Sequence, residues 1–435
     1  MKKKFLALIM ATAMIATLVG CGSGAATTTT DTAATDTTAT TDTAAADTTT
    51  TEVVTPTDVT LTVWGPSEDQ DAASGAWLTT MCDKFATEHP EWNITFNYGV
   101  CSEGDAGKLV SQDPTASGDV YLFANDQINT LIAANAISEL GGETADAVKS
   151  TNSEAIVNSV TVDGAVYGVP FTTNTWFMYY NKSLLTDADI KNLDTMLTKG
   201  KVAFPLTNSW YIASFFVANG GTMFGDGTDE AAGINFGGTA GEEVTNYLID
   251  LAKNANFVND ASGEGIAGMA DGSIAAMFSG SWDYATLKDA LGDNLGIAAL
   301  PTITINGTDK QLMSFAGSKA IAVNPNCANP EVAVALARYL GSADAQKSHY
   351  ELRNIVPCNT ELLADPTIQS DALVVAQNAT FDTTSILQPF VAAMGNYWTP
   401  AANFGTAIIS GDITHANAAA KVDEFNTSLN TSGVQ

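Results

Sequence analysis

Residues 59–64, Val-Thr-Leu-Thr-Val-Trp, alternate apolar with polar side chains and are rich in β-branched residues, which is the pattern of a first strand. Residues 77–85 then place apolar side chains at helical spacing, with a stop near His89-Pro90, and residues 93–98 alternate again as a second strand. Residues 117–124 predict a third strand and 128–134 a helix. This strand, helix, strand, helix rhythm points to βαβ units and parallel pairing. Residues 166–180 are too long for an ordinary strand and hold Pro170 inside, as expected of a strand that runs on from one domain into another. A second series follows, with strands at 202–204, 296–300 and 315–323 and helices at 210–218, 242–255 and 330–340. From Ser370 the pattern is mostly helical, broken at Pro389 and Pro400, and the chain carries no internal repeat.

The stretch 269–282, Met-Ala-Asp-Gly-Ser-Ile-Ala-Ala-Met-Phe-Ser-Gly-Ser-Trp, condenses this pattern into a helix end, a strand and a presented ring. Gly272 can take the left-handed conformation that closes a helix ending near Met269. Residues 273–278 have strand length, and Ser279-Gly280-Ser281 make a turn with little bulk. Trp282 then falls at the start of the next helix, at the mouth of the sheet, where ligands sit in open α/β folds.

The N-terminal residues are of a different kind. Lys2-Lys3-Lys4, an apolar run over 5–19 and Leu18-Val-Gly-Cys21 describe a secretory signal peptide over 1–20. The Leu-Val-Gly-Cys sequence resembles a bacterial lipobox, which implies lipidation of Cys21 and attachment to the outer face of the membrane by lipid alone. Residues 21–57 are nearly all Thr, Ala, Asp, Gly and Ser, a composition too polar to bury a core. They are expected to be a tether spanning about 30–35 Å as a random coil and about 120 Å when stretched.

The formal net charge of −30 argues against nucleic acid or anionic lipid as partners, because each would be repelled. A neutral ligand would not be. Besides Cys21 there are Cys82, Cys101, Cys327 and Cys358, which could pair in three ways or stay free. No nucleophile elbow, Walker A loop, His-Glu-x-x-His or EF-hand pattern occurs, so no metal, cofactor or catalytic residue is expected. The three histidines, His89, His349 and His415, each read as surface residues, and the acidic turn at 226–230 as a solvated loop rather than a calcium site.

What the composition does supply is seven tryptophans among few basic residues. Sugar rings have apolar faces and hydroxyl edges, so a neutral oligosaccharide needs flat aromatic platforms flanked by carboxylates and amides. Each aromatic contact contributes about a kcal/mol. Several of them with hydrogen bonds reach micromolar affinity, about 8 kcal/mol.

From about 59 to 429 the chain resembles the extracellular solute-binding proteins of bacterial ABC importers, in the maltose/maltodextrin-binding branch. The resemblance is carried by Leu61-Thr-Val-Trp64, residues 119–126 (Asp-Val-Tyr-Leu-Phe-Ala-Asn-Asp), Gly168-Val-Pro-Phe171 and residues 179–185 (Tyr-Tyr-Asn-Lys-Ser-Leu-Leu). Ala218-Asn-Gly-Gly221, Gly272 with Ala276-Met277 and Gly280-Ser-Trp282, Leu300-Pro301-Thr302 and Tyr397-Trp398 complete it. It implies a two-lobed periplasmic-binding-protein-like α/β fold, each lobe a mostly parallel sheet flanked by helices. The lobes would comprise about 58–171 with 319–366 and about 177–313 with 367–435, joined by a hinge near 172–176, 314–318 and 366.

Carried over by position, Trp210, Trp282 and Trp398 fall where the family's sugar-stacking aromatics lie, Phe123 at a smaller platform on the other lobe, and Asp126 at an aspartate that bonds sugar hydroxyls. Gln127 replaces a basic residue, Glu68-Asp69 an Asp-Lys pair, Asn174 a hinge glutamate and Asn208 a second-lobe glutamate. These departures rewrite the polar rim and leave the stacking floor. Trp64, Trp77 and Trp92 are expected in the core, and Trp176 fits either role. The resemblance further implies a monomer that is not an enzyme, closes on a neutral oligosaccharide and presents it to an importer's permease subunits. Three rivals stand beside the α-glucan: another neutral oligosaccharide such as a xylan or galactan fragment, a surface glycoside hydrolase, and an adhesin.

Overall fold

The computed structural model describes residues 56–225 and 227–431. The expected signal peptide, Cys21, nearly all of the tether and Asp226 of the acidic turn lie outside the described residues. The described residues form one compact unit built on two main sheets, with three two-stranded sheets beside them.

In the first sheet Thr57–Gly65 pairs in parallel with Trp92–Val100 on one side and Val120–Ala124 on the other. Ser314–Val323 runs antiparallel beside Val120–Ala124, takes Val169–Asn174 antiparallel along its length, and at its N-terminal end pairs in parallel with Ser385–Leu387. In the second sheet Phe257–Asn259, Val202–Phe204 and Ala276–Ser279 are parallel, and Phe177–Asn181 lies antiparallel between Ala276–Ser279 and Leu295–Ala298.

The long apolar run at 166–180 therefore resolves into two strands in different sheets, Val169–Asn174 and Phe177–Asn181. The link between them is buried. Thr175 shares a hydrogen bond with Ser314 Oγ at 2.8 Å and donates its hydroxyl to the Phe315 carbonyl at 2.9 Å. Trp176 is wholly buried, edge-on to Phe204 and Phe278 at 5.7 and 6.0 Å, so its indole belongs to the core. Along Phe177–Asn181 alternate side chains face opposite sides of the sheet: Met178 and Tyr180 enter one core, Phe177 and Tyr179 the other. Burial on both faces is why this strand shows a continuous apolar run instead of alternation.

The segment Ser314–Val323 is held by close backbone packing. An added Cβ at Gly317 would collide with the Asn125 side-chain oxygen, which accepts the Ser318 N–H at 2.9 Å. Gly317→Ala is expected to cost about 1–3 kcal/mol of stability, the usual range for overpacking, measured by urea unfolding.

Several elements have the boundaries the sequence predicts. The helix Pro330–Leu340 begins on its proline, whose missing N–H is not needed in a first turn. Gly272, at φ +78°, caps the helix Glu264–Asp271. Two expectations are corrected. The strand expected at 273–278 is Ala276–Ser279, and Pro400 does not break the tail but sits in the first turn of the helix Trp398–Ser410, where proline costs no hydrogen bond. The four described cysteines are free and buried, with burial pushing the Cys82 thiol up to about 12. No described helix is long and apolar enough to cross a membrane.

Candidate functional site: an aromatic cleft between two walls

A concavity of about 810 Å³ lies within the size range of small-molecule sites. One wall is lined by Gly104, Gly107, Lys108, Asp126, Gln127 and Thr130, the other by Asn208, Trp210, Tyr211, Trp282 and Trp398, with Asn174 and Lys319 from the segments that join the sheets.

Trp282 is presented by the turn after Ala276–Ser279. The Tyr179 hydroxyl donates to the Gly280 carbonyl at 2.8 Å, and the Ser279 hydroxyl donates to Asp283 Oδ2 at 2.5 Å. The indole lies over Gly280, where any Cβ would collide with the ring. Trp282 is left 39% exposed, the only large aromatic among the described residues so open apart from Tyr98. Trp210, at the start of the helix Ser209–Ala218, faces it with ring centroids 6.1 Å apart and an interplanar angle of 40°. Its indole N–H donates to Gln388 Oε1 at 2.7 Å, and its backbone N–H caps onto Asn208 Oδ1 at 2.9 Å. Trp398 is fixed by its neighbour: Tyr397 is wholly buried and donates its hydroxyl to the Ser209 carbonyl at 2.6 Å.

The opposite wall is polar. Gln127 donates to the Glu103 and Gly104 carbonyls at 3.0 and 2.7 Å and accepts the Gly107 N–H, which fixes the loop that precedes Ala106–Gln112. Lys319 Nζ lies 3.4 Å from Glu103 Oε1 and 5.5 Å from the centroid of Trp282, joining the two walls through an ion pair and a cation–π contact. Burial pushes the Asp126 carboxyl up to about 6, against the lowering effect of the neighbouring Gln388 amide. The Gln388 amide nitrogen itself closes no full hydrogen bond, so it remains a donor facing that carboxyl.

The raised Asp126 value has a sign. Between its ordinary value of 3.8 and about 6 the folded protein holds a proton that the unfolded chain has released. Asp126 therefore contributes a stability that is lost as pH rises through this window. Asp126→Asn is expected to flatten the difference in unfolding midpoint between pH 4.5 and 7, measured by thermal melts.

Trp210, Trp282, Trp398, Asp126 and Asn174 thus line one cleft, while three other candidates do not. Phe123 is wholly buried, edge-on to Tyr121 at 6.2 Å, because its strand has apolar cover on both faces. Glu68 is exposed outside the cleft and accepts the Ser67 hydroxyl at 3.1 Å. Asp69 is 2% exposed, with Oδ1 bonded to the His349 ring at 2.9 Å and to Arg353 Nε at 3.1 Å. Its carboxylate serves the interior. His349, expected at the surface, is instead buried and stacked on Trp77 at 3.8 Å. Trp77 is core as expected, and Trp64 and Trp92 pack against the same core partly exposed.

Lys319, Glu103 and Lys108 were not singled out in the sequence. The signal for Lys319 was present: it is the only charge in the otherwise apolar or small run at 314–323. Glu103 sits in a loop with no period to read, and Lys108 in the short helix Ala106–Gln112 that follows it.

Comparison with known proteins places this architecture. A solved structure with acarbose is 53% identical and superposes at a TM-score of 0.83, covering 85% of this chain and 98% of that one. A maltooligosaccharide ABC transporter solute-binding lipoprotein of Streptococcus pneumoniae R6 is 28% identical over 322 residues, which are 67% of this chain and 72% of the relative. A galactooligosaccharide-binding protein of Bacillus subtilis is also 28% identical, over 309 residues, covering 66% and 71% of the two chains. The family model for bacterial extracellular solute-binding proteins matches residues 80–376, and with two lobes enclosing an aromatic cleft this chain belongs to that family.

Proposed function

We propose that the chain binds maltodextrin-type α-glucans in the cleft and delivers them to the permease subunits of an ABC importer, without chemical change to the sugar. The observation that carries this reading is the Trp210–Trp282 pair, with Trp398 beside it, opposite a wall of amide, carboxylate and ammonium groups. Flat rings on one side and hydrogen-bonding groups on the other match the two kinds of surface on a glucose unit. The acarbose-bound relative, at 53% identity, supports the same class of ligand.

In this reading Trp210, Trp282 and Trp398 stack on the sugar, while Asp126 and Asn174 bond its hydroxyls. The lobes are about 58–171 with 319–366 and about 177–313 with 367–435, hinged near 172–176, 314–318 and 366. A sugar touching both walls favours the closed arrangement by its differential affinity for it. Cys21 carries the lipid that holds the protein at the outer face of the cell membrane.

The galactooligosaccharide-binding relative, as similar as the maltooligosaccharide one, motivates a second reading with a galactan-derived ligand. Tryptophan fluorescence separates the two. Titration with maltotriose and longer maltodextrins is expected to give a saturable change, and galacto- and xylo-oligosaccharides none at comparable concentration. A response confined to another glycan keeps the cleft and overturns the substrate. Release of reducing sugar from an α-glucan would overturn the binding reading in favour of a hydrolase.

A further inference from the structure

We infer that Gln388 is a positioning residue, a bridge that fixes the Trp210 ring of one wall to the Asp126 carboxylate of the other so that platform and acceptor meet the sugar as one unit. The inference rests on the α-glucan reading of the cleft. Gln388 is 3% exposed and lies behind the lining residues, not among them. Its Oε1 accepts the Trp210 indole N–H at 2.7 Å. An indole nitrogen can only donate, so the Gln388 oxygen must face Trp210 and its amide nitrogen must point away. That nitrogen is buried without a hydrogen-bond partner among the described residues, a state that calls for an explanation. Asp126 supplies one. Burial raises its carboxyl to about 6 and the Gln388 amide works against that rise, which is the action of a donor directed at a carboxylate.

The backbone holds both ends of this bridge. The Gln388 N–H donates to the Ala316 carbonyl at 2.8 Å, on the segment Ser314–Val323, and Pro389 after it disfavours a helical conformation at Gln388. Two residues further along the same segment, the Ser318 N–H donates to Asn125 Oδ1 at 2.9 Å, which places the turn Asn125–Gln127 and Asp126 with it. The Asn129 amide then donates to the Phe390 carbonyl, tying the helix Ile128–Ala133 to the loop after Gln388. Gln388 and Asp126 are thus carried by two stretches of chain that are bonded to one strand and again to each other. Between an indole donor and a carboxylate acceptor, a side-chain amide offers each neighbour the group it lacks.

The consequence is that stacking and hydroxyl acceptance are coupled. With the amide behind it, Asp126 stays an anion at neutral pH and keeps acceptor positions for sugar hydroxyls. Without the amide, its carboxyl takes up a proton at higher pH, and Trp210 loses the bond that sets its 40° tilt to Trp282. Among the described residues, the other charged groups lining the cleft are Lys108, on the helix Ala106–Gln112, and Lys319, which is ion-paired to Glu103 at 3.4 Å. Wild type measured at the same pH values removes whatever these groups contribute.

The test is calorimetry of the purified protein with maltotriose at about pH 7.5 and about pH 5.5, for wild type, Gln388→Glu and Gln388→Met, with thermal melts of each. Gln388→Glu keeps an acceptor for Trp210 and sets a second carboxylate against Asp126. It should bind about tenfold more weakly than wild type at the higher pH, about 1.4 kcal/mol. At the lower pH the two carboxyls share a proton, and the deficit should shrink to about twofold. Gln388→Met loses both ends of the bridge and should be about tenfold weaker than wild type at either pH. The melts read the bridge without sugar: Gln388→Glu should melt below wild type at the higher pH, and adding Asp126→Asn, whose amide donates to the new carboxylate, should recover that loss. Three results overturn the bridge: Gln388→Glu binding within about twofold of wild type at the higher pH, an equal deficit at both pH values, or no recovery in the double variant. A wild type that fails to bind maltotriose overturns the α-glucan reading, while the melts still decide the bridge.

Discussion

Trp282→Ala is expected to weaken maltotriose binding by about thirtyfold, a loss of about 2 kcal/mol, typical of a tryptophan at the centre of a binding surface. Stability should change little, by about 0.5 kcal/mol, because the ring is 39% exposed and its removal opens no cavity in a core. The loss is larger than one stacking face alone would give. Trp282 also sets the 6.1 Å spacing to Trp210 and lies beneath the Lys319 ammonium, so its removal loosens both walls. Trp282→Phe keeps a flat ring on the same turn and should recover most of the binding, to within about fivefold of wild type. Fluorescence from the remaining tryptophans or calorimetry gives the affinities, and thermal melts give the stability. Unchanged affinity in Trp282→Ala would remove the ring from the site.

The turn that presents Trp282 was legible because three local signals agree there: a capping glycine, a short apolar strand and a small-residue turn. Trp176 carried no such frame. It sits in a run that is apolar in sequence for two different reasons, a strand in one sheet and a doubly buried strand in the next, and only the buried Thr175 contacts show where one becomes the other. Period alone cannot mark that boundary. Phe123 and Asp69 show a second limit. Position along the chain placed both near the cleft wall, but the direction of a side chain depends on what covers each face of its element. Val120–Ala124 is buried on both faces, and the short helical turn Ser67–Asp69 directs Asp69 inward, towards the helix Ala343–Arg353 some 280 residues later. Partners so distant leave no trace in a local pattern. Lys319 is the converse case, a lone charge in a buried strand, where the conflict between residue and surroundings is itself the sign of a functional position.

Asp69→Ala is expected to destabilise the fold by about 3–5 kcal/mol, because it removes one partner of a buried charged cluster and leaves the others uncompensated. Asp69 and His349 are both 2% exposed at the side chain, and Arg353 19%. The His349 ring lies flat on Trp77 at 3.8 Å, and the Trp77 indole N–H donates to the Ala345 carbonyl at 2.9 Å, so the cluster ties the first helix to Ala343–Arg353. Burial alone would raise the Asp69 carboxyl, but His349 first and Arg353 next outweigh it and hold the group below the usual carboxylate value. An acid with a lowered folded value contributes stability that is present in full above its unfolded value and lost as pH falls through the folded one. Wild type should therefore lose this contribution below about pH 4, while Asp69→Ala, lacking it already, should show a shallower acid limb. Urea unfolding at pH 7 and across the acid range measures both. The same variant separates a structural carboxylate from a sugar ligand. At low urea, where the folded form persists, Asp69→Ala should bind maltotriose within about twofold of wild type, because its carboxylate faces His349 and Arg353 and not the cleft. A variant of unaltered stability that had lost its sugar affinity would return Asp69 to the binding site.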